Sequence, residues 1–158
     1  MLEICRWLEH SSASRAILES NLGFAALIIT HVLGLGLFLG TVMLLDLRLL
    51  GRGIRTSTVS DFVEYLLPWT RTGFFLMAVS GVILFSTEAV KCYESAAFRA
   101  KMGLITLALV NVWVFHHRNY RERGSHSLTP LPWKFAGATS LLIWLGVLAA
   151  GRAVGYGY

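Results

Sequence analysis

Long uncharged stretches separated by short charged segments dominate the hydrophobic pattern of the chain. The first, residues 22–45, is long enough to cross a hydrocarbon core of about 30 Å as a helix. The three later stretches are shorter, so flanking residues must complete them at the membrane surfaces. The pattern predicts four membrane-spanning helices, at about residues 22–45, 69–88, 101–117 and 135–152.

Residues 2–20 have a different pattern, in which apolar side chains alternate with charges and serines. The segment lacks the basic start and the uninterrupted apolar core of a signal peptide. It is typical of short helices that lie on the membrane surface, although contact with a partner subunit would produce the same pattern. The sequence therefore predicts an all-α integral membrane four-helix bundle with a short N-terminal interfacial helix, forming a single domain over residues 1–158.

Composition agrees with a membrane protein. The chain is 55% hydrophobic and only 15% charged, with a mean hydropathy of +0.61. A soluble domain has about 25% charged residues. The net charge of +5 does not indicate a nucleic-acid partner, because no basic cluster is interleaved with stacking aromatic side chains. The expected partner is the lipid bilayer, with no nucleic acid.

Loop charge indicates the orientation. Eight lysines and arginines lie on the side of loops 46–71 and 118–134, against six on the side of the termini. The positive-inside bias places those loops in the cytoplasm and both termini outside. Cys5 and Cys92 then share the outer side, where they form either a disulfide or two separate buried thiols.

His31 is the most informative single residue, because it lies in the middle of the longest apolar stretch. An ionisable side chain at that depth indicates a functional site. It could ligate a flat apolar cofactor, or it could be a neutral histidine hydrogen-bonded to a neighbouring helix. The residues expected beside it at helical spacing are Phe24, Leu27, Gly34, Leu35 and Phe38.

Other candidate residues are fewer. Lys101 opens the third span on the side nearer His31, so it is either a snorkelling anchor or a side chain that reaches inward. His116 and His117 lie at the opposite end, where they could contact headgroups, hold a second cofactor or pair with Asp46. Zinc sites and serine hydrolases are poorly supported, because the sequence lacks their motifs. Spaced small residues predict close helix packing: Gly36 with Gly40, Gly73 with Ser80 and Gly81, and Gly137 with Ser140.

The stretches THVLGLGLFLGTVMLLDLRLLG, LLPWTRTGFFLMAVSGVILF, AFRAKMGLITLALVNVWVFHHR and AGATSLLIWLGVLAAGR resemble a four-helix bacterial membrane family of unknown function. That family looks distantly similar to HemJ-type protoporphyrinogen oxidases and CopD-type membrane proteins. The HemJ-type pattern matches His31, Phe38, Gly40, Lys101 and His116 in order, with phenylalanine in place of the usual tryptophan. The resemblance implies haem b, with His31 and Lys101 as ligands of the iron, in a bacterial inner membrane.

Three functions remain open from the sequence. One is a haem b membrane protein that transfers electrons to a quinone or a periplasmic partner. Another is an oxidase that acts on a porphyrinogen. The sequence alone does not decide whether the protein is an enzyme. The third is a cofactor-free subunit of a larger membrane complex or oligomer.

Overall fold

A computed structural model describes residues 2–52, 59–119 and 131–156 of the chain. Within these ranges the secondary structure is helical and contains no strand. The helices are α1 Leu2–Glu9, α2 Ser12–Glu19, α3 Asn21–Leu49, α4 Val59–Thr87, α5 Ala89–Glu94, α6 Ala96–Asn119 and α7 Leu131–Tyr156.

Four of these helices, α3, α4, α6 and α7, are long and apolar enough to cross a membrane. Most of their large apolar side chains are exposed at the outer surface of the bundle, as a surrounding lipid phase requires. The predicted all-α four-helix class with a short N-terminal helix is thus confirmed, and the chain is a multi-pass membrane protein.

The helices extend beyond the predicted spans, most clearly in α4. This helix begins at Val59, about ten residues before the predicted start near residue 69, and it continues through Pro68. A proline inside a helix has no N–H to donate, so the carbonyl four residues earlier loses its helical partner. On the C-terminal side of the proline, Thr72 Oγ1 donates to the Pro68 carbonyl, at 2.9 Å. The polar first turns of α4 are helical although they are too polar to count as membrane core.

The bundle consists of two helix pairs. Helix α3 packs along α4, α6 packs along α7, and contacts between α3 and α7 join the pairs. In the described part of the chain, α4 and α6 do not pack against each other along their lengths. The core lies where α3, α6 and α7 meet, and the Phe38 ring contacts Trp144 edge-on with centroids 4.9 Å apart. The open side of the bundle therefore lies between α4 and α6.

Glycines set the closest helix contacts. A Cβ atom at Gly73 would lie 2.6 Å from the backbone nitrogen of Phe38, and one at Gly34 would lie 2.8 Å from that of Met77. Gly137 approaches the Asp46 carbonyl of α3 in the same way, at 2.9 Å. The packing predicted for Gly73 and Gly137 is confirmed.

The packing predicted for Gly36 and Gly40 is wrong within the described residues. A Cβ atom at either position would meet nothing within 4 Å. Both faces of α3 are apolar, so the sequence does not distinguish the face that contacts α4 from the face that points outward. Gly34 and Phe38, three and seven residues after His31, mark the packed face instead.

The N-terminal helices cap the end of the bundle at which α4 ends. The buried Ser14 hydroxyl contacts the Leu8 carbonyl at 2.9 Å and the Ser86 carbonyl of α4 at 3.2 Å. On the outside of α1, Trp7 and Ile4 are 73% and 57% exposed. An exposed tryptophan on an amphipathic helix at this end is typical of a helix in the headgroup region.

The two cysteines are separate, buried thiols in the structure. Cys5 lies on α1 and Cys92 on α5, and these two helices pack against each other. Burial raises the pKa of the Cys92 thiol, which keeps it protonated at neutral pH and lowers its reactivity. Of the two expectations for this pair, the structure has the buried thiols.

Candidate functional site: a histidine-lined cavity in the bundle

A cavity of about 760 Å³ fills the space between the two helix pairs. All four long helices line it, and its open side lies between α4 and α6. This volume is within the range of about 300–1,000 Å³ for small-molecule and cofactor sites. Nearly all the lining side chains are aliphatic or aromatic, and the exceptions are His31, Lys101 and Arg152. The cavity thus offers an apolar volume with a few polar groups.

His31 is half-buried in the cavity wall formed by α3. Its Nδ1 atom lies 3.0 Å from the Ser80 hydroxyl oxygen of α4. A Cβ atom at Gly81 would lie 3.1 Å from the imidazole Cε1, so the absence of a side chain there leaves room for the ring. The ring edge with Nδ1 therefore faces α4, and its orientation is fixed.

Ser80 determines which nitrogen of His31 carries the proton. The serine is 3% exposed, and its hydroxyl donates to the backbone carbonyl of Leu76 one turn earlier. A hydroxyl has one proton, so the same oxygen accepts from the Nδ1–H of His31. A neutral imidazole protonated at Nδ1 has its unprotonated lone pair on Nε2, which is the atom that ligates a metal.

Lys101 reaches the same cavity from α6. Its side chain lies against Gly151 of α7, since a Cβ atom there would be 3.8 Å from the Lys101 Nζ. Beside it, Phe85 of α4 stacks on Phe98 of α6 with ring centroids 5.5 Å apart. The stacked pair bridges the open side of the bundle near the end at which α4 and α7 finish and α6 begins. We call this the terminal end of the bundle.

The structure brings His31 and Lys101 together, but it separates them from most of the side chains expected beside His31. His31 and Lys101 line one cavity, whereas Gly34 and Phe38 are not among its lining residues. The backbone of α4 covers Gly34, and Phe38 is 7% exposed in the core. Of the side chains expected beside His31 on α3, Leu35 lines the cavity with it, whereas α4 covers much of the rest of that face.

Several residues at the cavity were not predicted as site residues from the sequence. Gly81 and Arg152 line it, and Ser80 contacts the His31 ring, but the two α4 residues were interpreted only as packing residues. The sequence did contain an indication of this contact, because two adjacent small residues on α4 leave room for a bulky ring from α3. Pairing them with His31 requires the register between the two helices, which one chain's pattern does not give.

A second group of polar side chains lies at the opposite end of the bundle. The Asp46 carboxyl is 5% exposed at the contact between α3 and α7, where it faces the Ser140 hydroxyl. Asn111 of α6 donates to the Ala136 carbonyl at 3.3 Å. The side chains of His116 and His117, and so their predicted roles, lie outside the described residues. This group does not line the cavity that contains His31.

Comparison with known proteins identifies the family but not an activity. The model of the family of unknown function DUF6644 matches residues 20–157. The chain belongs to this family. The DUF6644 match covers all four membrane helices and both walls of the cavity, and it leaves out only α1 and α2. No curated protein and no solved structure matches the chain.

Proposed function

We propose that this DUF6644 protein binds haem b in the cavity between its helix pairs and transfers electrons within the membrane. The observation that carries the proposal is the His31–Ser80 hydrogen bond, which leaves the Nε2 lone pair for iron. The resemblance to HemJ-type proteins, in which the corresponding histidine and lysine ligate haem, adds support. The finer similarity to HemJ-type and CopD-type proteins is itself part of this proposal.

The residues present fit a haem group. An apolar cavity excludes water from the porphyrin, and a neutral imidazole whose second nitrogen is hydrogen-bonded is a common haem ligand. Lys101 is a second possible ligand, from another helix and on the same cavity. In the bound state, haem would supply one-electron exchange between ferric and ferrous iron.

The protein's own residues would hold and orient that group. Ser80 fixes the tautomer and the plane of the His31 ring, and Gly81 provides the space for it. The aromatic and aliphatic wall, including Phe74 and Trp144, keeps the site dry. The electron partner we propose is a quinone, which would approach through the lipid-facing open side between α4 and α6, or a periplasmic protein.

Titration with hemin tests the proposal. Detergent-purified protein should develop a Soret band that saturates near one haem per chain. Lys101→Ala should still bind haem, with a shifted Soret maximum, because water or another side chain replaces the weaker ligand while His31 is retained. Lys91→Ala is the matched control, because this exposed lysine lies outside the cavity and should leave the spectrum unchanged. An unchanged Lys101→Ala spectrum would remove Lys101 from the ligand set.

A cofactor-free subunit of a larger complex is the alternative function. The observation that favours it is the outward face of α3, where Gly36 and Gly40 have no neighbour within 4 Å among the described residues. Small residues of this kind allow another membrane helix to approach closely. A wild-type protein that stays colourless when hemin is added would favour this alternative.

The proposed orientation places both termini in the periplasm of a bacterial inner membrane. Alkaline phosphatase folds only in an oxidising compartment, so a fusion after Tyr158 should be active. A fusion at Ser125, which lies outside the described residues in the loop between α6 and α7, should be inactive. The reverse pattern of activities would invert the topology and place Cys5 and Cys92 in the cytoplasm.

A further inference from the structure

The cavity has its charges at one end. Of its lining residues within the described ranges, two are basic, Lys101 and Arg152, and none is acidic. Both lie close to the terminal end of the bundle, five residues from the start of α6 and four from the end of α7. The positive charges of the cavity are therefore grouped at this end of it, which we call its mouth.

The opposite end of the cavity is apolar. Phe74, Leu109 and Trp144 lie two to three helical turns deeper than the basic pair along their respective helices. His31 lies between these levels, because its neighbours Ser80 and Gly81 are about two turns from the end of α4. An occupant that matches this arrangement has an apolar body and a negative group at one edge.

Haem b has this character, with an apolar macrocycle and two carboxylates on one edge. We propose that Arg152 binds a carboxylate of the occupant at the cavity mouth and so sets which edge of the macrocycle points toward the membrane surface. This inference rests on the proposed haem function and assigns a residue that the resemblance does not. Arg152 is exposed at the surface, so its guanidinium can meet a carboxylate where both remain partly hydrated.

Arginine suits this role better than Lys101. Its guanidinium stays charged and presents paired donors that match the two oxygens of a carboxylate. Lys101 lies closer to the apolar interior, against Gly151, and as an iron ligand it would be a neutral amine. The two basic residues thus have different partners on one occupant.

Paired titrations with hemin and its dimethyl ester test the inference. The esters remove the negative charges and leave the macrocycle and iron in place. For each protein, the ratio of the two dissociation constants is measured in the same detergent, so differences in detergent partitioning cancel between proteins. Wild-type protein should bind hemin more tightly than the dimethyl ester. In Arg152→Gln, the ratio of the two dissociation constants should move about tenfold toward equal binding, which is the scale of one charge-assisted hydrogen bond.

Arg99→Gln is the matched control. Arg99 is an exposed arginine at the same end of α6, its guanidinium donates to the Tyr93 carbonyl, and it does not line the cavity. This variant should keep the wild-type ratio, and Arg152→Lys should keep part of it. An Arg152→Gln ratio equal to that of wild type would overturn the inference while leaving haem binding intact. A wild type that binds neither compound would overturn the proposed function and the inference with it.

Discussion

His31→Ala should yield folded protein that retains no haem through gel filtration. The variant removes the nitrogen whose lone pair is left available by the Nδ1 hydrogen bond to Ser80. Lys101 alone is a weak ligand, so the affinity for hemin should fall by at least about 100-fold, more than the loss typical of an outer-shell partner. The measurement is Soret absorbance per chain after hemin addition and gel filtration.

Two checks separate loss of a ligand from loss of the fold. The gel-filtration profile and Tm of His31→Ala should stay close to those of wild type without hemin, since the ring lines an existing cavity. His10→Ala should bind haem normally, because His10 is exposed at the junction of α1 and α2. A His31→Ala protein with wild-type Soret absorbance would contradict the assignment of the ligand.

Gly73→Val should be the most destabilising single substitution in the contact between α3 and α4. The new Cβ would lie 2.6 Å from the nitrogen and 2.9 Å from the Cα of Phe38, which are backbone atoms that no rotamer change can move. The helices must separate, at a cost of about 3 kcal/mol, the upper end of the usual range for overpacking because backbone atoms are in the way. For a chain of this length, that lowers Tm by roughly 6–12 °C.

Gly36→Val is the control on the partner helix. It introduces the same side chain into α3 at a position where a Cβ has no neighbour within 4 Å, so Tm should change by little. Thermal unfolding of both variants, followed by fluorescence-detected gel filtration, provides the comparison. Equal Tm values for the two variants would show that the contact between α3 and α4 is not the one described, and a large fall confined to Gly36→Val would point to an interface on the outward face.

The fold follows from the sequence because lipid simplifies the pattern. Four uncharged stretches predict four helices whatever their neighbours are, and the positions of Gly73 and Gly137 predict close contacts. Helix ends were less predictable. The first turns of α4 are polar and the helix continues through Pro68, so it begins about ten residues before the predicted start of the span.

The site was predictable only in part, for a physical reason. The depth of His31 and the position of Lys101 can be read from the chain, and both residues line the cavity. The pairing of His31 with Ser80 depends on the register between α3 and α4, and the choice of Gly34 over Gly36 depends on which apolar face is turned inward. On a helix that is apolar all round, hydrophobicity no longer distinguishes these faces.

The most direct test of the central claim is the haem content of the wild-type protein purified from a haem-supplied host. The pyridine haemochrome assay, with protein quantified by amino-acid analysis, gives moles of haem b per chain. We expect a value near one, together with a Soret band that sharpens and shifts when dithionite is added. A colourless protein with no measurable haem b, which also fails to take up added hemin, would contradict the account.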